Sequence, residues 1–297
     1  MPATPAGRHA HIGAVLAASV LWGTTGTIAH YAPAGSNHAL VGISTFGFGG
    51  LALLALDSRP VGRLLTDRST WPLLLVGALG VGAYAGFYYW GMALVGVAIG
   101  NVLALGSGPV FAALLELVID KRPIGPAWAV ATAVSVLGIA LLGASASSAP
   151  GPNPVGGVVL ALASGFGYAL YSWAAARLIG RGHRSRSVMA ALFAVTAVVL
   201  VPAFLMAGPG PLLQPRGLAI LAYLALIPMA LAYLLFGYGL RGLAASAATT
   251  LALAEPVVAT VLATVILREQ ISAIGWLGIA LIVVGLLLVA RAERRVS

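Results

Sequence analysis

The sequence predicts an all-α membrane protein of ten transmembrane helices, built as two inverted five-helix repeats. Three observations carry this: an apolar composition, the spacing of charge-free stretches, and a duplication that can be read directly from the chain. Of 297 residues, 60% are hydrophobic and 8% charged, with a mean hydropathy of +1.02. A soluble globule carries about 25% charged residues, so the chain is expected to lie in a lipid bilayer.

A bilayer core about 30 Å thick needs roughly 20 helical residues to cross. Stretches without Asp, Glu, Lys or Arg run from Ile12 to Leu56, Ser69 to Leu115 and Pro123 to Ala176, each long enough for two crossings. Turn chemistry divides them. Ala32-Pro33-Ala34-Gly35-Ser36-Asn37 breaks the first, Val95-Gly96-Val97 the second, and the Pro-, Gly- and Ser-rich run from Ser145 to Pro154 the third. Four further spans follow, near Val188 to Ala207, Gly217 to Leu240, Ala244 to Leu267 and Ala273 to Ala290. Transmembrane strands would alternate polar and apolar residues; these runs are apolar all round, so helices are expected.

Lys and Arg set the orientation. With ten spans, fourteen of the sixteen fall on the side of the two termini: Arg8; Arg59, Arg63 and Arg68; Lys121 and Arg122; Arg177, Arg181, Arg184 and Arg186; Arg241; and Arg291, Arg294 and Arg295. Only Arg216 and Arg268 lie opposite. Both termini are therefore expected in the cytoplasm, and the net charge of +9 is topological. The arginines sit in separate short loops without a recognition fold, so no nucleic acid is expected as partner. Arg8 to Ala29 has the look of a signal peptide. Removing it would leave nine spans and break the repeat, so it is expected to remain as the first span.

The repeat appears on sliding the chain against itself. An offset of 147 places Pro109 on Pro256, Ile124 on Ile271 and Gly138 on Gly285, matching the fourth and fifth spans to the ninth and tenth. An offset of 144 places Gly13 to Ala17 on Gly157 to Ala161 and Trp22-Gly23 on Phe166-Gly167, matching the first span to the sixth. Two nearly equal offsets that agree with the charge pattern argue for duplication. The halves are 1–147 and 148–297. A copy with an odd number of spans inserts upside down, as in transporters whose substrate site lies between inverted halves.

These residues carry a family resemblance. The Trp22-Gly23 pair, Ala93-Leu94 leading through a small-residue helix to Pro109-Val110, and the run from Ala254-Glu255-Pro256-Val257 through Arg268-Glu269 to Trp276-Leu277-Gly278 resemble the EamA branch of the drug/metabolite transporter (DMT) superfamily. Within it the chain looks most like the YddG-type exporters of amino acids and metabolites in bacterial inner membranes. The resemblance implies a multi-pass inner-membrane exporter of a small molecule such as an amino acid. In one place the chain departs from the pattern: Arg122 stands where the family has an acid after the fourth span, whereas the second half keeps Glu269.

Glu255 is the one carboxylate well inside a span, where a charge costs roughly 2.5 to 3.5 kcal/mol on insertion scales. Two readings stand: a group that binds an amine or couples transport to a proton, and a structural hydrogen-bond partner of neighbouring backbone. Pro256 and Pro109 each remove a backbone donor near a span centre; they are candidate helix breaks for gating, or residues that shape helix packing. Among the aromatic residues, Tyr84, Tyr88 and Tyr233 lie deep, where a hydroxyl needs a partner, while Trp71, Trp90, Trp173 and Tyr238 near span ends fit an interfacial belt. The substrate-binding set expected from the sequence is Trp22, Tyr84, Tyr88, Asn101, Ser107, Phe166, Tyr233 and Glu255. Such a set suits a zwitterion with an apolar side chain, not a polyanion.

Glu116 and Asp120 are expected to pair with Lys121, Arg122 or loop arginines. His9 and His11 are too weak a pair for a metal site, and His30 and His38 are expected at the membrane interface. With no cysteine, a thiol nucleophile and a cysteine-held metal are excluded. No histidine sits mid-span and no phosphate loop surrounds Lys121, so neither an enzyme nor a cofactor is expected. Small residues, 38 of them glycine, let helices approach closely. The fifth and tenth spans are almost devoid of polar groups and are expected at the periphery. The sequence does not fix the oligomeric state, and a monomer is compatible with it.

Overall fold

The computed structural model describes residues 5–36, 38–145 and 151–295. Asn37 of the first turn, the expected junction between the halves at 147 and the side chains of His38, Arg294 and Arg295 lie outside the described residues. Among those residues the chain is all helix, and ten helical spans are long and apolar enough to cross a membrane. The first seven are α1 (Pro5–His30), α2 (His38–Thr66), α3 (Trp71–Val95), α4 (Val97–Val118), α5 (Pro126–Ser145), α6 (Pro154–Gly180) and α7 (Ser185–Met206). The eighth is α8 (Pro215–Leu224) and α9 (Ala232–Gly239), joined by a π-helical segment at Ala225–Leu231. The ninth is α10 (Ala245–Leu251) and α11 (Ala254–Ile266), and the tenth is α12 (Ala273–Arg295).

The breaks follow from residue type. Gly96 separates α3 from α4 at φ 104°, a conformation that a residue with a Cβ rarely adopts. α2 runs past the expected end at Leu56, with a non-helical Asp57 (φ −143°, ψ 32°) three residues before Pro60. The ninth span breaks at Ala252-Leu253. Pro256 cannot donate to the Ala252 carbonyl, which instead accepts from the Glu255 N–H at 2.9 Å in a tighter turn. α4 differs: it stays helical through Pro109, so the expected matching break in the first half is absent. The eighth span, expected as one helix, stays helical and widens into a π-helical turn around Pro228.

An even number of crossings puts both chain ends at one end of the bundle, hereafter the terminal end; the other is the far end. The helix pairing obeys an exchange rule. α3 packs along α6 as α1 packs on the eighth span, α4 packs on α6 as α1 packs on α11, and α2–α7 and α5–α12 pair across the halves. Replacing each span by its counterpart five positions on therefore returns these principal pairings. The repeat also reaches backbone detail. Lys121 (φ 56°) and Arg268 (φ 60°), 147 residues apart, both end their helices in the left-handed region. The next N–H of each reaches back to a repeat-related carbonyl, Arg122 to Glu116 at 3.1 Å and Glu269 to Ala263 at 3.3 Å.

Two seams between the halves are backbone to backbone. A Cβ added to Gly80 would lie 2.8 Å from the Gly167 carbonyl oxygen, and one added to Gly167 would lie 2.7 Å from that of Gly80. Gly138 of α5 and Gly278 of α12 stand in the same reciprocal relation, each 2.6 Å. Only glycine permits such approach. α5 and α12 are also the least buried spans, at 28% and 33%, and sit at the periphery.

Polar side chains tie the halves together at the terminal end. Asp57 accepts a hydrogen bond from Ser187 and pairs with Arg186 at 2.9 Å. Asp120 pairs with Arg177 at 2.6 Å and accepts from Trp173 Nε1 at 3.0 Å. Glu116, expected to meet a loop cation, instead caps α10: it accepts from the Ser246 N–H and hydroxyl. Its position in the last turn of α4 turns it inward to an unsatisfied helix N-terminus rather than out to the loop. His11 contacts the Tyr238 carbonyl at 2.9 Å.

Candidate functional site

A cavity of about 470 Å³ lies between the halves. Its lining reaches His30 in the last turn of α1 and Val97 in the first turn of α4, both at the far end. At mid-depth it meets the break of the ninth span, with Glu255 and Pro256 in its wall. The tight turn that Pro256 forces puts Glu255 in the first turn of α11. Among the described residues its side chain has no hydrogen-bond or ion-pair partner, so the structural reading of this carboxylate as a bond to neighbouring backbone is not realised in this conformation.

Around it stands a wall of rings. Trp22 lies 5.0 Å from Tyr233, Tyr84 5.5 Å from Tyr168, and Tyr168 5.4 Å from Tyr171, measured between ring centroids. These are favourable tilted-pair separations. The hydroxyls of Tyr171 and Tyr233 bond each other at 3.1 Å across the two helices. Tyr88 donates to Asn101 Oδ1 at 2.6 Å, linking α3 to α4 at the far side of the cavity. Two polar atoms of the wall residues are buried without a partner: Trp22 Nε1 and the Tyr168 hydroxyl. Both residues line the cavity, so each presents hydrogen-bonding capacity at or beside its wall. An aromatic cage with one acid and a few donors can hold an ammonium group by charge and by the ring faces, and an apolar side chain by burial.

Of the residues singled out from sequence, the structure brings together Trp22, Tyr84, Tyr88, Asn101, Tyr233, Glu255 and Pro256 in this wall. It does not bring in Ser107, Phe166 or Pro109. Ser107 of α4 faces Gly165 of α6, its hydroxyl buried between the helices without a partner. Phe166 was matched to Trp22 by the repeat but is 42% exposed and meets Phe111 edge-on. Here Gly167 packs onto α3 and turns its neighbour outward. Tyr168 and Tyr171, one helical turn apart on α6, line the cavity instead. Their spacing of three on one face was the available signal. Tyr89, Pro228 and Met229 also belong to the wall.

Comparison with known proteins agrees with this architecture. The model of the EamA-like transporter family matches twice, at residues 10–144 and 155–291. The chain is 34% identical over 283 residues to "Uncharacterized transporter YwfM" of Bacillus subtilis (strain 168), covering 95% of this chain and 94% of that protein. It is 29% identical over 262 residues to the "Probable terminal-alkyne amino-acid exporter" of Streptantibioticus cattleyicolor, covering 84% and 86%. A solved crystal structure superposes with a TM-score of 0.78 over 97% of this chain and 98% of its own, at 22% identity, a likeness of fold. With both halves matched and a relative aligned almost end to end, the chain belongs to the EamA-like transporter family of the DMT superfamily and is a membrane transporter.

Proposed function

We propose that this transporter exports amino acids, aromatic or otherwise neutral, across the bacterial inner membrane by alternating access, with both termini in the cytoplasm. The observation that carries the reading is Glu255: an unpaired carboxylate set in an aromatic cavity between two inverted halves. Glu255 binds the substrate ammonium group and exchanges it for a proton. Trp22, Tyr84, Tyr88 and Tyr233 hold the apolar side chain, and Asn101 supplies a polar contact at the cavity's far side. The halves 1–147 and 148–297 are the moving units, with the break before Pro256 as a hinge and Pro109 as a packing element of the partner half. With the termini inside, the cavity faces outward in this conformer. The name printed for the Streptantibioticus relative supports the amino-acid class.

The test is uptake of a panel of radiolabelled amino acids into proteoliposomes of the purified chain, with and without a proton gradient, beside Glu255→Gln. Saturable uptake of aromatic or branched members, driven by the gradient in wild type and not in the variant, is the expected result. Uptake by Glu255→Gln that matches wild type at every pH removes Glu255 from coupling. No uptake of any member removes the amino-acid class and leaves another neutral metabolite or drug-like solute as the substrate.

A further inference from the structure

We propose that a second cleft, at the terminal end between the α6–α7 turn and the end of α9, binds a phosphate group, carried by an anionic phospholipid or free in solution. The cleft has a volume of about 600 Å³ and is remote from the substrate cavity, sharing none of its lining residues. Four basic side chains line it: His183, Arg184, Arg186 and Arg241.

Their local partners decide what the cleft lacks. Arg186 is neutralised by Asp57 at 2.9 Å, and that carboxylate is further occupied by Ser187. His183 feels the carboxylate of Asp67 in the α2–α3 turn. Arg184 and Arg241 ion-pair with no carboxylate among the described residues, and Arg241 is held in place with its guanidinium 5.2 Å from the centre of the Tyr238 ring. Two guanidinium groups converge on one cleft without a counterion. Each offers the planar fork of donors that matches phosphate oxygens.

Backbone adds to them. α7 begins at Ser185, within the cleft, and its N-cap Arg184 is extended (φ −66°, ψ 128°) and offers no side-chain cap. The first-turn N–H groups of this 22-residue helix are thus left to an outside acceptor, and a helix N-terminus flanked by arginines is a ready anion site. Ile179 and Leu234 complete the lining. They provide an apolar flank beside the cationic floor, the arrangement that a lipid headgroup with its glycerol and first methylenes would fill. The cleft lies among the basic turns at the terminal end, and cations close to the ends of membrane spans attract anionic headgroups.

The experiment uses the full chain purified in detergent. Native mass spectrometry counts retained phosphatidylglycerol against phosphatidylcholine, and thermal unfolding is followed in inorganic phosphate against chloride at equal ionic strength. Wild type is expected to retain phosphatidylglycerol over phosphatidylcholine, with binding weakened about fivefold for each arginine removed in Arg184→Gln and Arg241→Gln. Stabilisation by phosphate without preference between the lipids assigns the site to a soluble phosphate. The Arg184 side chain is exposed and makes no internal bond, so Arg184→Gln alone keeps the test open should Arg241→Gln fail to fold. Equal lipid retention and equal phosphate response in wild type and both variants overturns the proposal. None of these readouts involves substrate transport, so the outcome is independent of the amino-acid reading.

Discussion

Glu116 of α4 caps α10 through Ser246: one carboxylate oxygen accepts from the Ser246 N–H at 3.1 Å and the other from its hydroxyl at 2.5 Å. The two residues belong to different halves, and the carboxylate is buried. Charge-assisted bonds of this kind contribute about 1.5–3 kcal/mol each. Glu116→Ala is therefore expected to lower unfolding stability in detergent by at least about 1.5 kcal/mol. Ser246→Ala should lose less, because its N–H still donates. An unchanged midpoint in Glu116→Ala would show that the cap contributes nothing to the joint.

Lys121 and Arg268 hold left-handed backbones that cost residues with a Cβ about 1 kcal/mol or more. Lys121→Gly and Arg268→Gly should each leave stability equal or raise it by up to about 1 kcal/mol, although glycine is normally destabilising. Circular dichroism melts of the two variants beside a control, Gly placed at an ordinary loop position, will distinguish relief of strain from loosening.

Two tyrosines of the cavity should behave in opposite ways. Tyr233 shares its hydroxyl with Tyr171, so Tyr233→Phe leaves a buried hydroxyl alone and costs about 1 kcal/mol of stability. The Tyr168 hydroxyl has no protein partner, so Tyr168→Phe should leave stability intact and weaken substrate affinity. Melting temperature and the half-saturation of uptake, measured on both, check the contrast; a destabilised Tyr168→Phe would contradict it.

Asp67 lies outside the membrane spans, in the α2–α3 turn, where the Ser69 hydroxyl and N–H hold its carboxyl below the ordinary value. A depressed folded pKa contributes stability above the unfolded pKa and loses it as pH falls through the folded one. Ser69→Ala should raise the Asp67 titration midpoint, followed by NMR with selective Asp labelling, and reduce the loss of stability on acidification. A midpoint that does not move would mean that the turn does not hold the carboxylate.

The ten spans were legible because lipid demands long apolar runs, and loop charge and turn residues mark their ends. Glu255 was legible for the same reason in reverse, as a carboxylate where none belongs. What escaped depended on rotation about helix axes. Phe166 and Trp22 occupy matching places in the repeat, but the Gly80–Gly167 contact fixes α6 with Tyr168 and Tyr171 toward the cavity. A duplication preserves sequence position more faithfully than facing. The different fates of Pro109 and Pro256 make the same point: one missing donor is tolerated inside α4, while the other splits its span beside an acid. Glu116 was misjudged because its partner, an uncapped helix start 130 residues away, exists only in the fold.

The paired glycines have a mechanical consequence. Where Gly80 meets Gly167 and Gly138 meets Gly278, the two helix backbones touch directly, so at those two points displacement requires no glycine rotamer to reset. The carboxylate ties at the terminal end, by contrast, must break or re-form if the halves shift there, and so would act as catches.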